Sequence, residues 1–134
     1  MILTNKAKYA TIAVIDMFEN GFEKPTSISS IADRQNISIS FLEQIFSALK
    51  KAAIVKSIRG VGGGYILAKN PQDINIAEII FAVDEPIKMT RCGGKSGCIT
   101  NKAKCKTHHL WQGLEQNIHN YLSSISIDKM PSRQ

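Results

Sequence analysis

ISSIADRQNISISFLEQIFSALKK, residues Ile28–Lys51, decides the fold. Ile28, Ile31 and Ala32 recur at helical spacing after Thr26-Ser27, which predicts a short helix from Ile28 to Gln35. Asn36 tolerates the left-handed conformation and suits a tight turn. Ser38 or Ser40 then opens a second helix, in which Leu42, Ile45, Phe46 and Leu49 fall at i, i+3, i+4 and i+7 and mark one buried face. The opposite face carries Ser40, Glu43, Gln44, Ser47, Lys50 and Lys51. Two short helices joined by a turn of about three residues make a helix-turn-helix, whose second helix enters the major groove. There Gln44 suits adenine, Ser40 any base and Glu43 a cytosine amino group, with Ser38 counted among the DNA-binding residues. Ser40-x-x-Glu43 also matches a capping box, which would occupy Glu43 locally.

Downstream, Ile54–Ile58 and Tyr65–Ala68 are β-prone runs broken by Arg59-Gly60-Val61-Gly62-Gly63-Gly64. This predicts a hairpin directly after the second helix, a wing. No Lys-Ser/Thr and no helix follow the glycines, so a nucleotide-binding P-loop is excluded. A loop with so few side chains can approach DNA through Gly60, Gly62 and Gly63, with Arg59 reaching a narrow minor groove. Upstream, Thr4 is a plausible cap for a helix from Asn5 to about Asn20, with Gly21 beyond its end and Ala10, Ala13, Val14, Met17 and Phe18 as its apolar stripe. Lys6 and Lys8 sit in its first turn, where the macrodipole disfavours cations and a phosphate would be welcome. Asn75 and Glu78 resemble a second capping box opening a helix over Ile76–Val83, stopped by Pro86.

The 134 residues carry a net charge of +6, unevenly placed. Lys24, Arg34, Lys50, Lys51, Lys56, Arg59 and Lys69 face only Asp33 and Glu43 over residues 24–69, a balance that suits a polyanion. Residues 70–85 are acidic, and 86–108 hold Lys88, Arg91, Lys95, Lys102, Lys104 and Lys106 with no acidic residue. Inside that second basic stretch, Cys92, Cys98, Cys105 and His108 read C-x5-C-x6-C-x2-H, a four-ligand set for iron or zinc. Three cysteines form no closed disulfide framework, and neither a signal peptide nor a membrane span is present, so a cytoplasmic protein is expected. Paired carboxylates and a nucleophile with a base are both missing, so an enzyme is not. Finally, Thr107 can cap a helix to about Ser126 whose stripe is Leu110, Trp111, Leu114, Ile118, Tyr121, Leu122 and Ile125. That stripe packs either on its own head or on a second copy, and operator-reading heads usually pair. His119 falls on its polar side.

Together LTNKAKYA at the start, Ser38–Gln44, the wing RGVGGGY (Arg59 to Tyr65) and the cysteine segment resemble the IscR-like iron–sulfur transcription regulators, over roughly residues 1–126. The resemblance implies a mainly α fold with a small β-hairpin wing: a winged helix-turn-helix head at 1–85, a cluster-binding loop at 86–108, a dimerisation helix at 109–126 and a tail at 127–134. It implies a homodimer on a double-stranded DNA operator, no membrane, and a 2Fe–2S cluster on Cys92, Cys98, Cys105 and His108, with repression of cluster-assembly genes when the cluster is present. The spacing from Cys98 to Cys105 is one residue longer than the family's usual one, and His109 is the alternative to His108. Nitric oxide or redox state is the alternative signal. Zinc is the alternative metal, although C-x5-C lacks the tight knuckle of common zinc motifs. Three thiolates and a neutral imidazole bring an oxidised 2Fe–2S core to a charge of about −1, which the surrounding cations balance; the same cations favour thiolate.

Overall fold

Side-chain oxygens set where this chain turns into helix. In the computed structural model, which describes residues 3–83 and 106–130, the Thr4 hydroxyl accepts from the Ala7 amide at 3.1 Å and opens α1 (Asn5–Glu19). Ser27 accepts from the Ser30 amide at 3.1 Å and opens α2 (Ile28–Gln35). Ser38 accepts from the Phe41 amide at 3.2 Å and opens α3 (Ile39–Lys51). Each satisfies a donor that the first turn leaves over, for about 1 kcal/mol apiece. Asn36, at φ 55° and ψ 52°, ends α2 in the left-handed region, and residues 36–38 carry the chain into α3. The helix-turn-helix therefore stands where the periodicity predicts it. The capping box does not: Ser38 is the cap, Ser40 lies within the first turn of α3, and Glu43 stays exposed.

Two bonds close the end of α3, from the Ile54 amide to the Leu49 carbonyl and from the Ala53 amide to the Lys50 carbonyl, both 3.0 Å. This is a Schellman motif with Ala53, at φ 61°, where glycine is usual. It aims the chain into β1 (Val55–Ile58), which pairs antiparallel with β2 (Gly64–Leu67) in the register Val55↔Leu67 to Ile58↔Gly64. The hairpin is tied to the helices. Thr26 and Tyr65 exchange two backbone bonds of 2.9 and 2.8 Å just ahead of α2, and the Tyr65 ring lies 4.8 Å from that of Phe46 on α3.

After a 3-10 turn at Pro71–Asp73, α4 (Ile76–Val83) packs its buried Ile76, Ile79, Ile80 and Val83 into the core formed with α1 and α3. Only half of its capping box forms. Asn75 Oδ1 accepts from the Glu78 amide at 2.9 Å, while the Glu78 carboxylate accepts from Lys69 Nζ at 2.7 Å. The last helix, α5 (His108–Ser123), packs on α4 and ends three residues short of the expected Ser126. Thr107 precedes it without a side-chain cap; its Oγ1 accepts instead from Trp111 Nε1 at 3.0 Å. The chain then returns to the head. Ile76 N donates to the Ile125 carbonyl and Ile127 N to the Ile74 carbonyl, each at 3.0 Å. Ile127, expected to begin a tail, is 2% exposed, because Ile74 and its neighbours offer both a backbone acceptor and an apolar slot.

Candidate nucleic-acid interface and ligand segment

The outward face of α3 presents Ser40, Glu43, Gln44, Ser47 and Lys50, all exposed. Ser38 is exposed too, but its hydroxyl accepts from the Phe41 amide and so caps the start of α3. Tyr9 of α1 meets Phe41 of α3 edge-on at 5.7 Å. That contact brings the first turn of α1, with half-buried Lys6 and exposed Lys8, to the N-terminal end of α3, the end that meets base edges in this class of fold. On the other flank stands the hairpin. Arg59 is exposed at its base, and Gly63 N donates to the Gly60 carbonyl at 3.0 Å across the tip. Gly62 has φ 77°, the value of the third residue of a type II turn. A Cβ on Gly64 would lie 2.4 Å from the Thr26 carbonyl oxygen, so only glycine lets the wing dock where it does.

The basic island needs one correction. Arg34 is bound by Asp16 of α1, with Nη2 2.6 Å from Oδ1 and Nε 3.0 Å from Oδ2. Gln35 Nε2 donates to the same carboxylate at 2.8 Å. Hydrogen bonds to Asp16 hold the Arg34 pKa above its ordinary value. Arg34 thus fixes α2 against α1 instead of contributing to the field over the interface. Lys69 is likewise paired, with Glu78. The exposed Lys24, Lys50, Lys51, Lys56 and Arg59 carry the remaining positive charge of the island. Asp16 was not singled out from sequence. Its signal was a carboxylate set among Ala13, Val14 and Met17 on the apolar stripe, which demands a cationic partner.

Cys92, Cys98 and Cys105 lie outside the described residues. His108 lies within them, as the first residue of α5, and is 3% exposed. His109 is exposed, with its ring perpendicular to that of His108 at 5.3 Å. The apolar stripe of α5 divides. Leu122 and Ile125 pack against the head, whereas Leu110, Leu114 and Tyr121 are 61%, 37% and 64% exposed. His119 is no bystander on a polar face: its ring stacks on Phe81 of α4 at 5.2 Å and 9°.

Comparison with known proteins agrees with this architecture. The family model Rrf2, iron-dependent transcriptional regulator, matches residues 3–133. The HTH-type transcriptional regulator IscR of Photorhabdus laumondii is 46% identical over 134 residues, all of this chain and 81% of that one. The solved structure of T. potens IscR superposes with a TM-score of 0.77 at 33% identity, covering 97% of this chain and 85% of the other. CymR, the global cysteine regulator of B. subtilis, superposes with a TM-score of 0.82 at 29% identity, covering 97% and 95%. No described helix is long and apolar enough to cross a membrane.

Proposed function

The chain belongs to the Rrf2 family of transcriptional regulators, DNA-binding proteins and not enzymes, and from that premise we propose that it binds operator DNA as a homodimer and reports iron–sulfur supply through a 2Fe–2S cluster, repressing cluster-assembly genes when loaded. The observation that carries the DNA-reading half is the row Ser40, Glu43 and Gln44, exposed and outside any cap, beside a wing tied to both helices. Lys6, Lys8, Lys50 and Arg59 supply phosphate and minor-groove contacts around that row, and Gly60, Gly62 and Gly63 let the backbone approach closely.

The metal-binding half rests on the donor set. Three thiols and an imidazole fit either a 2Fe–2S cluster or zinc. Burial favours His108 over exposed His109 as the fourth ligand, because a ligand in a shielded site loses less to water. When bound, the cluster supplies an anionic, four-point tether for residues 86–108. The chain's own residues supply the route to the head: His108 starts α5, α5 packs on α4 through the Phe81–His119 stack, and α4 packs on α1 and α3. A coupling of about 1–3 kcal/mol is enough to change operator occupancy usefully. The exposed Leu110, Leu114 and Tyr121 are the surface on which a second copy sits, since operator reading by one head forgoes the second half-site.

The test is anaerobic purification with iron, sulfide and zinc counted, followed by operator binding by loaded and stripped protein. Visible absorbance with two irons and two sulfides per chain, and a loading-dependent affinity, are expected. Colourless, zinc-loaded protein would replace the cluster reading. Equal affinities in the two forms would remove the sensing.

A further inference from the structure

We propose that Val61 is a specificity-determining residue of the wing: an apolar probe of the minor-groove floor that penalises guanine's exocyclic amino group. The proposal rests on the reading of the hairpin as a minor-groove element. It starts from an oddity of the tip. Across residues 60–64, four positions are glycine and Val61 carries the only side chain. Val61 is fully exposed, so its side chain contributes nothing to packing in the free protein. The backbone around it is nevertheless ordered. The Gly63-to-Gly60 bond closes the turn, Gly62 at φ 77° occupies its third position, and Val61 stands second. A Cβ added to Gly60 or Gly62 would meet nothing within 4 Å, so the space on both sides of Val61 is open. The Thr26–Tyr65 bonds and the Phe46–Tyr65 contact hold the hairpin against α2 and α3, so the tip keeps a fixed offset from the helix that reads bases. Whatever the tip touches first, it touches with the two methyl groups of Val61.

The minor groove is about 6 Å wide and shows only acceptors at A·T and T·A, whereas G·C adds the protruding N2 amino donor. Arg59, at the base of the same loop, can donate to the acceptors. Where the amino group meets the Val61 side chain it finds no acceptor, because two methyl groups offer none, and the Gly60 carbonyl beside them already accepts from Gly63. An amino group pressed against those methyls loses its water without a replacement partner, a loss of about tenfold in affinity at that step.

The test uses full-length protein and duplexes drawn from a randomised-site selection with the wild type. At the base pairs under the wing, each A·T is replaced by G·C or by inosine·cytosine, which lacks only the amino group in that groove. The wild type and V61I are expected to bind A·T and inosine·cytosine alike and G·C about tenfold less well. V61N, which offers an acceptor, and V61G, which offers no bulk, are expected to lose that discrimination while remaining folded, V61G melting a few degrees lower for its more flexible unfolded chain. If V61N and V61G discriminate as the wild type does, the preference belongs to Arg59 and the proposal is overturned. If the wild type treats G·C and inosine·cytosine alike, it is overturned as well. If the wild type binds no duplex in a salt-dependent way, the DNA-binding reading of the wing falls, and Val61 with it.

Discussion

Breaking the Asp16–Arg34 pair from one side should cost more than breaking it from the other. The Asp16 side chain is 0% exposed, that of Arg34 37%. Arg34→Ala therefore strands a carboxylate in the core with one bond left, from Gln35. Stranding a buried charge costs about 3–5 kcal/mol, and the surviving bond places this case near the lower end. Asp16→Ala strands a guanidinium that can turn to water, and Gln35 is exposed. The loss is then mainly that of charge-assisted hydrogen bonds, about 1–2 kcal/mol. The double variant removes both charges and should be no worse than Arg34→Ala alone, a coupling of about 1–2 kcal/mol. Urea unfolding of the four proteins, read as midpoint shifts at constant slope, measures this directly. If Arg34→Ala were no more damaging than Asp16→Ala, the carboxylate would not be buried as described, and the seating of α2 on α1 would need another explanation.

Ala53→Gly should stabilise the protein by about 0.5–1 kcal/mol, because φ 61° strains any Cβ, and thermal melting will show it. Gly64→Ala should cost about 2–4 kcal/mol, since its methyl displaces the Thr26 carbonyl and both bonds to Tyr65; proton exchange at the Tyr65 amide should accelerate with it. Glu43→Ala should widen the set of bound operators, because an exposed carboxylate tolerates only a donor such as the cytosine amino group; unchanged preferences in a randomised-site selection would count against its role. Leu114→Asp should weaken the proposed self-association by about 2–3 kcal/mol, as sedimentation at several concentrations would reveal, against a smaller loss of about 1 kcal/mol in the monomer's own stability.

What the sequence made legible was local. Asn36 in the left-handed region, the bounds of α2 and the hairpin around Arg59–Gly64 follow from neighbours within a few residues, where spacing and turn chemistry act alone. The exposed row on α3 was legible for the same reason: Leu42, Ile45, Phe46 and Leu49 fix the buried face and leave Ser40, Glu43 and Gln44 on the other. The choice of cap was not legible. Ser38 and Ser40 are chemically equivalent, and what decides between them is that Ile37 is drawn inward, 8% exposed, which fixes the phase of the next helix. Nor was the seating of Arg34, because Asp16 lies 18 residues away and a cation count treats paired and unpaired arginines alike.

The same limit explains α5. Its sixteen residues have the periodicity of a helix with one apolar side, yet among them only His108 is fully buried. The helix is held at its two ends. At the C-terminal end Ile125 and Ile127 bond to the backbone around α4, and at the N-terminal end His108 is enclosed. Between these points Leu110, Leu114 and Tyr121 face outward, while the His119 ring and Leu122 are its contacts with the head. A helix so held responds to whatever is fastened to His108 and to whatever covers its exposed side. In the proposed reading those are the ligand segment and the second copy. The Phe81–His119 stack joins the middle of α5 to α4, and α4 lies against α1 and α3. In that reading, replacing His119 with alanine should narrow the difference in operator affinity between loaded and stripped protein, read by titration of both forms, because it removes a contact that joins α5 to the head; an unchanged difference would exclude the stack from the route.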